Sequence, residues 1–295
     1  MGHCYAAMVF VNVMWGLSFI LSKHAMTAGF PSMTLAFLRY VVATALLIPM
    51  VFVREKGLKL HKKDILPMFL SGLVGITLYY GFEYAGIQRT STVNASLILA
   101  AIPILTMVVE ALIYRTAMTG RQILGSLISL AGVFMVVFTG ASEGSASIWG
   151  DLCILGAAIV WVAYIFISRS LREKYSSLSM NAWQAVASLI TLFPMALAEK
   201  TQWQPVPWDG WAAMILLAAI CSALCYWIYG NVLCELSPLA SAIFINLIPL
   251  TTILGGVLFL GESLSWMQAG GGLLIIASIF VINLSGNEKK ACKSH

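Results

Sequence analysis

Residues 90–103, TSTVNASLILAAIP, and residues 236–249, LSPLASAIFINLIP, lie 146 positions apart in the chain. Each opens on small or hydroxyl-bearing residues, runs into an apolar stretch and closes on a proline. The correspondence continues without a gap from Thr90 to Gly140 and from Leu236 to Gly286. In that register Pro103 falls on Pro249, Gln122 on Gln268, Gly125 on Gly271 and Gly140 on Gly286. Upstream, the same shift sets Trp15 on Trp161, Ser22 on Ser168 and Tyr80 on Tyr226. Apolar composition alone produces some chance matches. Trp, Pro, Gln and Gly agreeing in one register point instead to a tandem repeat, residues 1–141 followed by residues 142–295.

The solvent for these repeats follows from composition. Of 295 residues, 60% are hydrophobic and 10% charged, against ~45–50% and ~25% in a soluble domain. One core of this size cannot hide that surplus, whereas a bilayer can. A spanning helix needs ~20 mostly apolar residues. Ten such runs are legible: Tyr5–Lys23, Met33–Val53, Ile65–Ile87, Val93–Tyr114, Ile123–Gly140, Trp149–Ser168, Asn181–Ala198, Gly210–Leu233, Leu239–Leu260 and Gln268–Leu284. The expected fold is therefore an all-α integral membrane protein with ten transmembrane helices. Its first run lacks a basic leader and a cleavage site, so it reads as a retained helix. Ala6 stands where a myristoylation signal needs Ser or Thr.

Five spans per repeat is an odd number, so the second repeat enters the membrane with opposite polarity. Inverted repeats of this kind place a substrate site near the midplane between the halves. Both termini then lie on one side. Placing them in the cytoplasm puts thirteen of the seventeen Lys and Arg residues there. These include Arg54 and Lys59 to Lys63 in one loop, Arg115 and Arg121 in the next, and Arg169 to Lys174 in a third, with a basic tail at Lys289, Lys290 and Lys293. Lys23, Arg89 and Lys200 fall outside, and Arg39 lies within a span. The bias predicts cytoplasmic termini. The net charge of +5 thus reflects topology, and no basic face suits nucleic acid.

Polar groups inside spans carry the chemistry, because an ionisable residue there costs ~2.5–3.5 kcal/mol on insertion scales and normally faces the bundle interior. Arg39 sits in the second span and Glu83 in the third, beside Tyr79, Tyr80 and Tyr84. Glu83 reads as a site for a cationic or amine group or for a proton. The competing reading is a structural pair with Arg39, which could also snorkel. Lys23 and Glu110, near span ends, read as snorkelling residues. Asn12, Trp15, Ser18 and Ser22 recur on one face of the first span. Trp161, Tyr164 and Ser168 do so in the sixth, and Tyr80 and Glu83 map onto Tyr226 and Tyr229. Aromatic walls with few polar anchors suit a cavity; an aromatic interface belt is the alternative. Asn94 and Asn246 precede Pro103 and Pro249, whose rings free a carbonyl and bend the helix, as a hinge or as static packing. Gly125, Ser129 and Gly132, with Gly270 to Gly272, suit close helix packing or a homodimer contact.

No nucleotide loop, zinc-protease helix or Ser-His-Asp set is present, so no enzyme and no cofactor is expected. His3, His24, His61 and His295 lie at ends or in loops. The six cysteines show no metal-site spacing, so no metal is expected either.

Several of these residues together resemble the EamA type of the drug/metabolite transporter superfamily. They are Trp15-Gly16, Leu38-Arg39 after Pro31, Tyr79-Tyr80, and Thr92 to Ser96 leading to Pro103. In the second half they are Ser237-Pro238 leading to Asn246 and Pro249, then Gly261-Glu262, Gln268 and Gly271. The likeness covers nearly the whole chain. Glu262 corresponds to Thr116, so the acidic loop signature occurs once. The resemblance implies a ten-helix fold in an inner membrane and movement of small organic metabolites. Residues expected to line the cavity are Asn12, Trp15, Ser18, Tyr79, Tyr80, Glu83, Asn94, Trp161, Tyr164, Tyr226, Tyr229 and Asn246, with Arg39, Pro103 and Pro249 structural or coupling. The expected function is secondary export of amino acids or related metabolites by alternating access. A passive pore through the same cavity and a lipid translocase are the alternatives.

Overall fold

The computed structural model describes residues 2–55, 57–142, 147–199, 205–233, 244 and 247–283. Among these residues the chain is helical throughout, with no strand. In the first half run α1 (Gly2–Thr27), α2 (Ser32–Glu55), α3 (Ile65–Gly72), α4 (Tyr79–Ile87), α5 (Thr92–Leu99), α6 (Ile102–Tyr114) and α7 (Gly120–Ser142). The second half follows with α8 (Ile148–Arg172), α9 (Ser177–Ala198), α10 (Trp208–Leu216), α11 (Cys225–Leu233), α12 (Leu247–Leu260) and α13 (Trp266–Asn283).

Among the described residues, eight stretches are long and apolar enough to cross a membrane, and two shorter apolar helices, Leu247–Leu260 and Trp266–Val281, follow them. The chain is thus a multi-pass membrane protein. The first span is longer than its hydropathy suggested and runs to Thr27, because residues past Lys23 still find helical partners. It stops at Gly29, whose φ of 117° is closed to most L-residues. Pro31 then supplies the carbonyl that accepts from Leu35 N, opening α2.

The third and eighth expected spans are not uniform α-helices. Residues Leu73–Leu78 join α3 to α4 as a π-helix, and Leu217–Leu224 join α10 to α11 in the same way. The two segments overlap under the 146-residue shift. Such i→i+5 winding is rare and is frequent at functional sites. The fourth span is broken as well. It divides at Ala100 and Ala101, and Pro103 occupies the first turn of α6, where its missing N–H costs nothing. Pro103 therefore starts a helix instead of bending one.

Apolar side chains from α2, α4, α5, α8 and α9 form the main core. On the outside, Leu124, Leu127, Leu130, Phe134 and Phe138 of α7 are exposed, as a lipid-facing helix requires. The small-residue stripe does pack α7 on α13. A Cβ on Gly132 would sit 2.6 Å from the Gly271 carbonyl oxygen, and one on Gly271 would sit 2.7 Å from that of Gly132. Two backbones touch there, which only glycine permits.

Candidate functional site

The two π-wound segments aim aromatic side chains at the middle of the bundle. From the first come Tyr79, Tyr80, Glu83 and Tyr84 on α4. Tyr79 Oη donates to Glu83 Oε1 at 3.1 Å, and Glu83 is buried. Tyr79 packs on Trp161 with ring centroids 4.9 Å apart, and Trp161 on Tyr164 at 5.0 Å. Tyr80 stands edge-on to Tyr79 and packs on Tyr40 and Tyr84. From the second segment, Tyr226 and Tyr229 flank Trp15 at 5.2 and 5.0 Å. The indole Nε1 of Trp15 donates to the carbonyl of Cys221 at 3.2 Å, so α1 is fastened to a π-wound carbonyl.

Arg39 joins the halves. Its Nε donates to Ser222 Oγ at 2.6 Å and its Nη1 to Tyr84 Oη at 3.1 Å, while the guanidinium lies 4.7 Å over the Tyr80 ring. Only 3% of Arg39 is exposed, so it does not snorkel outward. Nor does it pair with Glu83: the described ion pairs leave both residues out. An acid and a guanidinium thus sit in one aromatic cluster, each held by neutral hydroxyls. Such a charge is retained in a membrane only where neighbours solvate it, and the ring faces and hydroxyls do so here.

The central space is closed to a substrate. A cavity of about 20 Å³ is lined by Tyr40, Gly75, Trp161, Tyr164, Ser222 and Tyr226, among others. That leaves room for about one water molecule and is far below the size of a small-molecule site. Gly75 is forced by this packing, since a Cβ there would lie 2.3 Å from the Tyr164 ring. Tyr164 Oη donates to Gln184 Oε1 at 3.4 Å, and Gln184 Nε2 donates to Ser71 Oγ at 3.0 Å. A second, larger cavity of about 450 Å³ opens where α2 ends and α9 begins, lined by Arg54, Glu55, Ser176, Trp227 and Asn231. Its size falls within the ~300–1,000 Å³ usual for small-molecule sites.

Not every expected residue joins the cluster. Asn12 donates to the Met8 carbonyl and Ser18 to that of Trp15, so both bond within their own helix. Asn94 lies in a separate buried network. Its Nδ2 donates to both oxygens of Asp151 at 3.3 and 3.2 Å, and its Oδ1 accepts from Gln268 at 2.8 Å. Thr90 Oγ1 donates to Asp151 Oδ1 at 2.6 Å. Asn246 lies outside the described residues, as do Ser237, Pro238 and the basic tail. Pro249 is buried near the start of α12. Lys23 does not snorkel: its ammonium donates to the Thr90 carbonyl at 2.8 Å and pairs with Glu262 at 3.2 Å. Glu262 also accepts from Thr92 N and Val93 N, capping α5. Two carboxylates with buried or half-buried partners were therefore missed in those roles, Asp151 because it stands at a span end. Their signal was the hydroxyl-rich run Thr90 to Asn94, which can bind an acid.

Among the described residues no three His, Cys, Asp or Glu side chains converge as metal ligands.

Comparisons agree with this layout. The EamA-like transporter family matches residues 2–138 and again residues 148–284. A chain named S-adenosylmethionine/S-adenosylhomocysteine transporter from Chlamydia trachomatis serovar L2 is 28% identical over 87% of this chain and 82% of its own. One named "Probable terminal-alkyne amino-acid exporter" from Streptantibioticus cattleyicolor is 26% identical over 77% and 76%. A solved crystal structure shares the fold with a TM-score of 0.67 at 20% identity, covering 96% of each chain. With two matching units that together span nearly all of its length, the chain belongs to the EamA-like transporter family.

Proposed function

We propose that this transporter moves small amine-bearing organic metabolites, amino acids or close relatives, out of the cell as a secondary carrier. Its architecture on this reading is ten membrane helices in two inverted five-helix repeats, residues 1–141 and 142–295, with both termini in the cytoplasm of an inner membrane. The thirteen-to-three distribution of basic residues outside the spans supports that orientation. Two relatives whose names carry amino-acid-like cargo support the substrate class.

One observation carries the mechanism: equivalent π-wound segments in the two halves converge on a closed aromatic cluster holding Arg39 and Glu83. Local rewinding of either segment would move its aromatic wall and open the centre to one side. Trp15, Tyr79, Tyr80, Trp161, Tyr226 and Tyr229 supply ring faces for a cationic or apolar substrate, and Glu83 accepts its ammonium group or a proton. A centre of about 20 Å³ speaks against a standing pore, which needs a continuous water path.

Counterflow in liposomes tests this reading. Purified protein is loaded with one unlabelled amino acid, polyamine or quaternary amine at a time, with and without a pH gradient. Saturable counterflow of amine-bearing solutes is expected. Leak of all solutes without counterflow would make the protein a pore, and silence throughout would turn attention to lipid as cargo.

A further inference from the structure

α2 and α9 form an extensive antiparallel contact between the halves, and each end of that pair carries a carboxylate that reaches the partner helix. At one end Glu199, directly after α9, accepts from Met33 N at 3.1 Å, Thr34 N at 3.0 Å and Thr34 Oγ1 at 3.0 Å. Those amides belong to the first turn of α2, which follows Pro31 and has no capping side chain there. At the other end Glu55, the last residue of α2, accepts from the hydroxyls of Ser176 and Ser179 at the start of α9. Ser176 in turn accepts from Ser179 N at 3.0 Å. Met33 falls on Ser179 under the 146-residue shift, and the two acids are equivalent to within two positions.

Glu199 therefore closes α9 and caps α2, while Glu55 ends α2 and binds the hydroxyls at the start of α9, whose backbone is capped by Ser176 itself. A negative charge is disfavoured at a helix C-terminus, where the macrodipole is negative, and favoured at an N-terminus. Parting the two helices at either end strands the acid in its unfavourable place, and at the Glu199 end it also uncaps α2. Both contacts are made together in this structure, whose centre is closed.

We propose that Glu55 and Glu199 are reciprocal latches, one for each end of the transport path, and that opening to one end requires release of the latch at that end only. This rests on the carrier reading above. It is distinct from substrate recognition, since neither acid belongs to the aromatic cluster.

The full chain offers a built-in reporter: Cys221, fully buried in the second π-wound segment. The test uses reconstituted protein with Cys221 as its sole cysteine, and a small membrane-impermeant thiol reagent applied to one face at a time. Glu199→Gln should raise Cys221 labelling from the Glu199 face by about fivefold or more, and Glu55→Gln from the Glu55 face, each leaving the other face unchanged. Thr34→Val and Ser179→Ala remove the partner hydroxyls and should act in the same directions with smaller effect, which covers a glutamate variant that fails to fold. Labelling unchanged in all four variants, or raised equally from both faces, would overturn the proposal. Counterflow by the parent protein is measured in the same vesicles. Its absence would defeat the carrier reading, while face-selective labelling would still report the latches.

Discussion

The two halves share a scaffold and divide the chemistry. Both carry a π-wound segment before an aromatic helix, and Tyr80 and Tyr226 occupy matching places. Yet Glu83 corresponds to Tyr229, and Arg39 to Ala185, so both central charges belong to the first half. The second half answers with Ser222, Trp161 and Tyr164. Packing divides in the same way. Gly75 corresponds to Cys221 and Tyr164 to Ser18. Where the partner helix brings a tyrosine, the π segment has glycine; the equivalent positions of the other half are a serine and a cysteine whose thiol donates to the Met14 carbonyl. Duplication supplies two similar packings for one bundle, and the later, unmatched side chains give the centre its charge and shape.

Breaking the charge asymmetry should have the largest effect. Glu83→Gln keeps the shape and the contact with Tyr79 but removes the only carboxylate in the described central cluster. Counterflow should fall at least about tenfold, since charge-assisted bonds are roughly twice as strong as neutral ones; expression and thermal stability should stay near the parent's. Wild-type kinetics in this variant would remove Glu83 from the site.

Next comes the packing asymmetry. Gly75→Ala drives a methyl into the Tyr164 ring and should cost about 1–3 kcal/mol as overpacking, read as a lowered unfolding temperature in detergent. Adding Tyr164→Ser, which copies the arrangement of the other half, should recover much of that loss. No recovery would mean that the matched pairs are unrelated.

The smallest effect is expected from Tyr229→Phe, which tests the residue standing opposite Glu83 in the repeat. Its ring rests on Trp15, and no described hydrogen bond uses its hydroxyl. Substrate affinity measured by counterflow should change by less than about threefold, within the range of a weak or absent hydrogen bond. A loss as large as that of Glu83→Gln would show the charge to be less special than its lone occurrence suggests.

Much of this was legible in the sequence, and the remainder has identifiable causes. Hydropathy located the helices because each span solves its own backbone hydrogen bonding within one segment. The aromatic stripes placed Trp15, Tyr80, Trp161 and Tyr226 together because helical period and the repeat register are both local properties. The winding of Leu73–Leu78 was not legible: LVGITL reads as an ordinary apolar helix, and only packing against α8 and α9 selects the wider turn. Lys23 was misread for a different reason. Its partner Glu262 is 239 residues away, and hydropathy carries no signal for such a pair. Asp151 needed Asn94, 57 residues distant, before its burial made sense.

The π winding of Leu73–Leu78 also makes the orientation of α4 depend on winding alone. A π turn accommodates one residue more than the α turn it replaces. Rewinding that stretch to ordinary α geometry with no residue removed would turn everything beyond it by one residue's step, about 100°. Tyr79, Tyr80 and Glu83 would swing away from Arg39 and Trp161 with no change in their own identity. The span would still be apolar and still cross the bilayer, so such a protein would insert normally and yet lose the aromatic cluster around Glu83.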